Sequence, residues 1–235
     1  MTGDHLSSLI KRKTIVTGHY GSGKTEFSVS LAIMLAGKTN PFDAIALIDL
    51  DIVNPYFRSR EKRELLDEYN ISVFGSAYES EVTAELPALG ASLRAPLENN
   101  TTKVIIDTGG NDTGALILNQ FTKYFTDDDT AVFAVVNANR PDTSDIKSII
   151  EHITSIEKIT TLNVDGLINN THMLRETTAA DIIYGNELCE EVCRQTGKYL
   201  LCNCFTDTVC MNELTGYLDN LIPLGFYMRP SWLDK

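Results

Sequence analysis

Residues 14–25 read Thr14-Ile-Val-Thr-Gly18-His-Tyr-Gly-Ser-Gly23-Lys24-Thr25. A short β-branched run suits a strand. It gives way to a glycine-rich loop, and the residues that follow, Lys24–Ala36, are expected to form a helix. Glycines in such a loop let backbone N–H groups turn inward around an anion. The first turn of the helix adds its partial positive charge. The pattern G-x-x-x-x-G-K-[ST] is complete, with Lys24 as a point charge for the β- and γ-phosphates and Thr25 as a hydroxyl for Mg²⁺. Gly18, His19, Tyr20, Gly21, Ser22, Gly23, Lys24, Thr25 and Glu26 form the expected phosphate-binding stretch.

Outward from this loop, short apolar runs alternate with helical-period segments. Strands are expected at Thr14–Thr17, Ala44–Asp49, Ile71–Phe74, Lys103–Asp107, Ala131–Asn137, Val164–Asn169 and Tyr199–Asn203. Most are continuously apolar, as strands of a parallel sheet covered on both faces are. Helices are expected at Lys24–Ala36, Arg60–Tyr69, Thr113–Phe125, Asp142–Ile159 and Thr178–Gln195. Asp142 and Thr143 are candidate caps for the fourth helix, and Gly197 stops the fifth. The order predicts an α/β doubly wound, mostly parallel sheet with helices on both faces, built as one domain over residues 1–235. Ligands of such sheets bind beyond the carboxyl ends of the strands.

Two carboxylates close the second strand in Leu47-Ile-Asp49-Leu-Asp51. Beside a magnesium nucleotide, a carboxylate there orients the attacking water or a metal-bound water. A third, Asp107, ends Lys103-Val-Ile-Ile-Asp107-Thr-Gly-Gly110, the form of a strand-end carboxylate that holds Mg²⁺. Gly109 and Gly110 would let the next loop approach a γ-phosphate. Asn169 and Asn170 end a later strand, where an amide serves either a base edge or a turn. Asn137, Asn139 and Arg140 end the strand before it and read first as a polar turn before Pro141, with the border of a base or ribose as the alternative.

The chain has 235 residues, with 20 Lys+Arg against 32 Asp+Glu and a formal net charge of −12. That balance argues against nucleic-acid binding and against docking on anionic lipid. The longest apolar runs, such as Ala131–Val136, are far short of the roughly 20 residues a bilayer needs. With no signal-peptide pattern at the amino end, a cytoplasmic, non-membrane protein is expected. Cys189, Cys193, Cys202, Cys204 and Cys210 then read as thiols.

Over about residues 13–175, in motif order, the chain resembles the MinD/ParA/CobQ/CobB group of P-loop NTPases. The strings Gly18-His-Tyr-Gly-Ser-Gly-Lys-Thr-Glu26 and Asn54-Pro-Tyr-Phe-Arg58 resemble a bacterial subgroup described as ATP-binding proteins. The resemblance implies ATP and Mg²⁺ as cofactors. It implies Lys24 and Asp51 as catalytic residues with Asp49 in support, and Thr25, Asp49 and Asp107 as metal residues. It further implies slow ATP hydrolysis driving a switch in the 54–60 and 109–114 loops for a protein partner, with a homodimer as an option. Where MinD and ParA carry a lysine that reaches across a dimer, this chain has His19. Arg58 or Arg60 would replace that charge, unless they belong to a solvated helix start. The carboxyl-terminal residues, interrupted by Pro223 and Pro230, read as a last strand and packed tail rather than a basic amphipathic membrane helix. Alternatives within the same group are an ATP-dependent ligase of the CobB or dethiobiotin-synthetase type, and a metal or iron–sulfur carrier, although the usual Cys-x-x-Cys pair is absent.

Overall fold

The computed structural model describes residues 10–37, 42–51, 62–75, 93–110, 112–125, 128–209 and 211–228. The Asn54–Arg60 loop with Arg58 and Arg60, and also Asn111, Cys210 and Pro230, lie outside the described residues.

Eight strands form one sheet: β1 (Lys13–Gly18), β2 (Ala44–Asp49), β3 (Ile71–Gly75), β4 (Thr102–Asp107), β5 (Thr130–Val136), β6 (Gly166–Asn169), β7 (Tyr199–Phe205) and β8 (Leu221–Pro223). Their order is β3-β2-β4-β1-β5-β6-β7-β8, and every neighbouring pair is parallel. The α-helices bounded within the described residues include α1 (Lys24–Ala36), α2 (Arg63–Glu68), α3 (Asp112–Asn119), α4 (Ile146–Thr160), α5 (Ala179–Thr196) and α6 (Met211–Leu214). β1, β4 and β5 are buried along their whole length, which is why they read as unbroken apolar runs.

Successive strand residues feed opposite cores, as the two-residue pleat requires. Ile15, Ile106 and Val132 join the core under α4 and α5, with Ile149, Ile153 and Val192. Val16, Ile105 and Phe133 join the other core, with Phe27 and Leu31 of α1. The expected doubly wound α/β sheet with helices on both faces is the fold observed. From β1 the chain crosses to β2 on one side, whereas from β5 it proceeds to β6, β7 and β8 on the other. The loops leaving β1 and β5 therefore diverge, and that divergence opens a crevice at the carboxyl end of the sheet.

Several boundaries differ from the sequence reading. α4 starts at Ile146, not Asp142, because Asp145 is the cap: its side chain accepts the Ser148 N–H at 2.9 Å in a reciprocal capping box. Pro141–Thr143 forms a separate 3₁₀ turn. The helix expected to run to Phe125 ends at Asn119, where the Thr122 hydroxyl takes the Asn119 carbonyl at 2.8 Å and competes with helix continuation. α5 starts one residue after its cap Thr178 and ends at Gly197, as expected. The anticipated last strand is β8, an edge strand where Pro223 breaks no inner ladder. The short α6 was not foreseen. Among the described residues no helix is long and apolar enough to cross a membrane.

Candidate functional site

The phosphate loop joins β1 to α1 with no intervening structure. Gly23 caps α1 at φ 85°, in the left-handed region, and a Cβ there would stand 2.3 Å from Asn170 Nδ2. Glycine is required on both counts. Three contacts shape the loop. The Ser22 N–H donates to the His19 carbonyl at 3.2 Å. Asn170 Nδ2 donates to the Ser22 carbonyl at 2.8 Å, and Arg140 Nε donates to the Gly21 carbonyl at 3.1 Å. The N–H groups that open α1 have no acceptor within the helix, and Gly23, Lys24 and Thr25, which carry the first of them, line the crevice.

Lys24 is buried, and its Nζ donates to the His19 carbonyl at 3.1 Å. Burial lowers its pKa, against the pull of Asp107 and then Asp51. The loop after β4 comes close: a Cβ on Gly110 would lie 2.8 Å from Lys24 Nζ and from the Tyr20 N. Asp49 and Asp107 are register partners at the carboxyl ends of β2 and β4. Asp49 Oδ1 accepts the Asp51 N–H at 3.1 Å, which folds Asp51 back over the strand end. All three carboxylates are buried. Burial, and then the Asp49 charge, push Asp107 up to about 8. Its Oδ2 is a buried acceptor with no hydrogen-bond partner among the described residues.

A cavity of about 270 Å³ opens over this array. Tyr20, Gly21, Gly23, Lys24, Thr25, Glu26, Asp51 and Asn170 line it, so most of the predicted set converges on one space. Gly18, Ser22, Asp49 and Asp107 lie outside that wall, in or beside the loop and strand ends that frame it. His19 sits to one side, its Nδ1 3.6 Å from Asp142 Oδ2 and its ring edge-on to His152 at 5.3 Å. Asn169 is elsewhere as well. Its Nδ2 donates to the Ile182 carbonyl at 2.9 Å and to Asn203 Oδ1 at 2.8 Å, while its Oδ1 accepts the Thr171 hydroxyl at 2.8 Å.

Two parts of the cavity fall outside the site residues expected from the sequence. Arg140, read first as a turn residue, is a wall residue bound to the phosphate loop. The far wall comes from Leu224, Gly225, Phe226 and Met228, which the sequence presents only as a packed tail. The apolar run Leu224-Gly-Phe-Tyr-Met228 was its only signal.

Cys189, Cys193, Cys202 and Cys204 are buried thiols. Cys189 and Cys193 lie in the core beneath α4 and α5, Cys202 and Cys204 in the opposite one. Burial pushes Cys193 up to about 11. Among the described residues no group of three or more His, Cys, Asp or Glu side chains is placed to hold a metal ion unaided.

No family model matches the chain, and no curated protein does. Solved structures do. The cell division protein FtsY from Thermotoga maritima is similar at a TM-score of 0.51 and 20% identity, over 80% of this chain and 59% of that one. The signal recognition particle receptor FtsY from Elizabethkingia anophelis, in complex with GDP, is similar at 0.54 and 16%, over 80% and 55%. The signal recognition particle 54 kDa protein from Aeropyrum pernix, also in complex with GDP, is similar at 0.50 and 18%, over 88% and 43%. The chain has a P-loop NTPase fold. It spans 59% or less of the length of these three structures, and at these identities the likeness is one of fold.

Proposed function

We propose that this chain binds Mg·ATP and hydrolyses it slowly, as a nucleotide-dependent switch for a protein partner, within the MinD/ParA/CobQ/CobB group. The observation that carries the reading is a cavity lined by the phosphate loop, the buried Lys24 and Asp51, with the paired strand-end carboxylates Asp49 and Asp107 beside it. Lys24, already desolvated, would place its charge on the β- and γ-phosphates. Asp51, in the cavity wall and fixed through its N–H by Asp49, would orient the attacking water.

The residues fit a divalent cation. Asp107 Oδ2 lacks a partner among the described residues, and the crowding of Asp49 and Asp107 is what a cation relieves. Thr25, Asp49 and Asp107 would hold it directly or through water, the remaining ligands being nucleotide oxygens. When bound, the metal would neutralise charge developing on the phosphates.

The choice of adenine over guanine rests on the loop after β6. Asn169-Asn170-Thr171-His172 lacks the Lys and Asp of the guanine-reading Asn-Lys-x-Asp pattern, and both amides are engaged by the protein. Since two similar structures hold GDP, GTP is the necessary control. Isothermal titration with ATP, GTP and ADP, with and without Mg²⁺, tests the reading on the native chain and on Lys24→Ala. We expect ATP to bind more tightly with Mg²⁺ than without, and Lys24→Ala to weaken it by at least about 100-fold. Equal affinity in the two proteins would overturn the assignment.

A further inference from the structure

Resting on the phosphate-loop reading, we propose that Leu224–Met228 is the wall against which the purine base of the bound nucleotide packs, and that Glu26 positions that wall. One cavity is lined by Lys24 and Thr25 and also by Leu224, Phe226 and Met228. The first set offers N–H groups and a cation, which suit phosphates. The second offers aliphatic and aromatic side chains, which suit the flat apolar faces of a base. Arg175 lies over the Phe226 ring, 5.5 Å from its centroid, and restrains the ring plane.

The segment is tied down at four main-chain N–H groups. The Leu224 N–H donates to the Phe205 carbonyl at 2.7 Å, and that of Gly225 to Ser30 Oγ at 3.3 Å. The N–H groups of Tyr227 and Met228 donate to Glu26 Oε1 at 2.7 Å and Oε2 at 3.0 Å. Glu26 directly follows Thr25 in the first turn of α1. One helical turn thus faces the phosphates with its backbone and holds the base wall with a side chain. The placement of the apolar wall relative to the phosphate loop is then set by the Glu26 side chain. Glu26 is a positioning residue; it acts on the base through the segment it grips.

The test separates the two ends of the ligand. ATP and inorganic tripolyphosphate are titrated by calorimetry into the native chain, Glu26→Ala, Glu26→Gln, Phe226→Ala and the volume-conserving Phe226→Leu. The expected result is a loss of about tenfold or more in ATP affinity for Glu26→Ala and Phe226→Ala, with the tripolyphosphate affinity of Phe226→Ala within about twofold of native. Glu26→Gln, which keeps one acceptor oxygen, is expected to fall between, and Phe226→Leu to lose less than Phe226→Ala. Unchanged ATP affinity in both Glu26→Ala and Phe226→Ala overturns the inference, as does an equal loss for both ligands in Phe226→Ala. A native chain that binds no tripolyphosphate removes the phosphate-loop reading and this inference with it, which distinguishes the two failures.

Discussion

Asn170 Nδ2 occupies the space that a side chain on residue 23 would need, and from there it donates to the Ser22 carbonyl at 2.8 Å. The two residues of this bond are 148 positions apart, so the loop after β6 buttresses the loop after β1. The phosphate cradle is held open from outside.

Removing the buttress is expected to weaken phosphate binding with the glycines intact. Asn170→Ala leaves the buried Ser22 carbonyl without its donor, a loss of about 1–2 kcal/mol in stability. Tripolyphosphate affinity, read by calorimetry, should fall about tenfold. Gly23→Ala should cost more than Asn170→Ala, since it adds left-handed backbone strain to the displacement of Asn170. Binding unchanged in Asn170→Ala would show the loop to be rigid unaided.

Asp107→Asn is expected to stabilise the metal-free protein while abolishing the effect of Mg²⁺ on nucleotide affinity. The native carboxylate is fully buried and faces Asp49, and an amide removes both the desolvation and the repulsion. We expect about 1–2 kcal/mol more stability by thermal unfolding in EDTA. Titrations with and without Mg²⁺ should then give the same ATP affinity. A variant that keeps the Mg²⁺ enhancement would exclude Asp107 from metal binding.

Asn169→Ala should damage the fold and spare the ligand. Its amide joins β6 to the Ile182 carbonyl of α5 and to Asn203 of β7, all buried. Leaving those partners unsatisfied costs about 2–3 kcal/mol. ATP affinity below the unfolding transition should be unchanged. A large loss of affinity would restore the role at a base edge that strand-end position first suggested.

His172 gives the stability an acid limb. Burial, and then the facing Arg140 guanidinium, hold its pKa down to about 4, and its Nδ1 accepts the Leu174 N–H at 3.3 Å. The unfolded chain protonates near 6.5 and the folded one does not until about 4. Its contribution is therefore level above about pH 6.5, stability falls as the pH drops to about 4, and it levels again below that. His172→Gln should remove roughly 2 kcal/mol of that fall, measured by denaturant unfolding at pH 4 and pH 7. Equal acid sensitivity in both proteins would assign the limb to other groups.

The phosphate loop was legible because its chemistry is local. Strand, glycines, Lys24 and Thr25 are contiguous, and α1 spans the predicted residues, Lys24–Ala36. β2 likewise spans Ala44–Asp49 as predicted, because a strand buried on both faces leaves a continuous apolar run with a carboxylate at its open end. Helix starts were less legible where several capping residues crowd together. Asp142, Thr143 and Asp145 all qualify by type, and Ser148, three residues beyond Asp145, decides among them by closing a capping box.

The partners of the loop were not legible. Asn169 and Asn170 are adjacent amides of one type, yet one holds α5 and β7 to β6 while the other supports the phosphate loop. Successive residues at a strand end point to opposite sides, and which side meets the crevice depends on neighbours far along the chain. The same holds for Arg140 and for the wall at Phe226, brought to the cavity by the strand order. A contiguous motif encodes the chemistry of its own backbone; the walls around it belong to distant segments, and their positions follow from how parallel strands pack and cross, which no local pattern records.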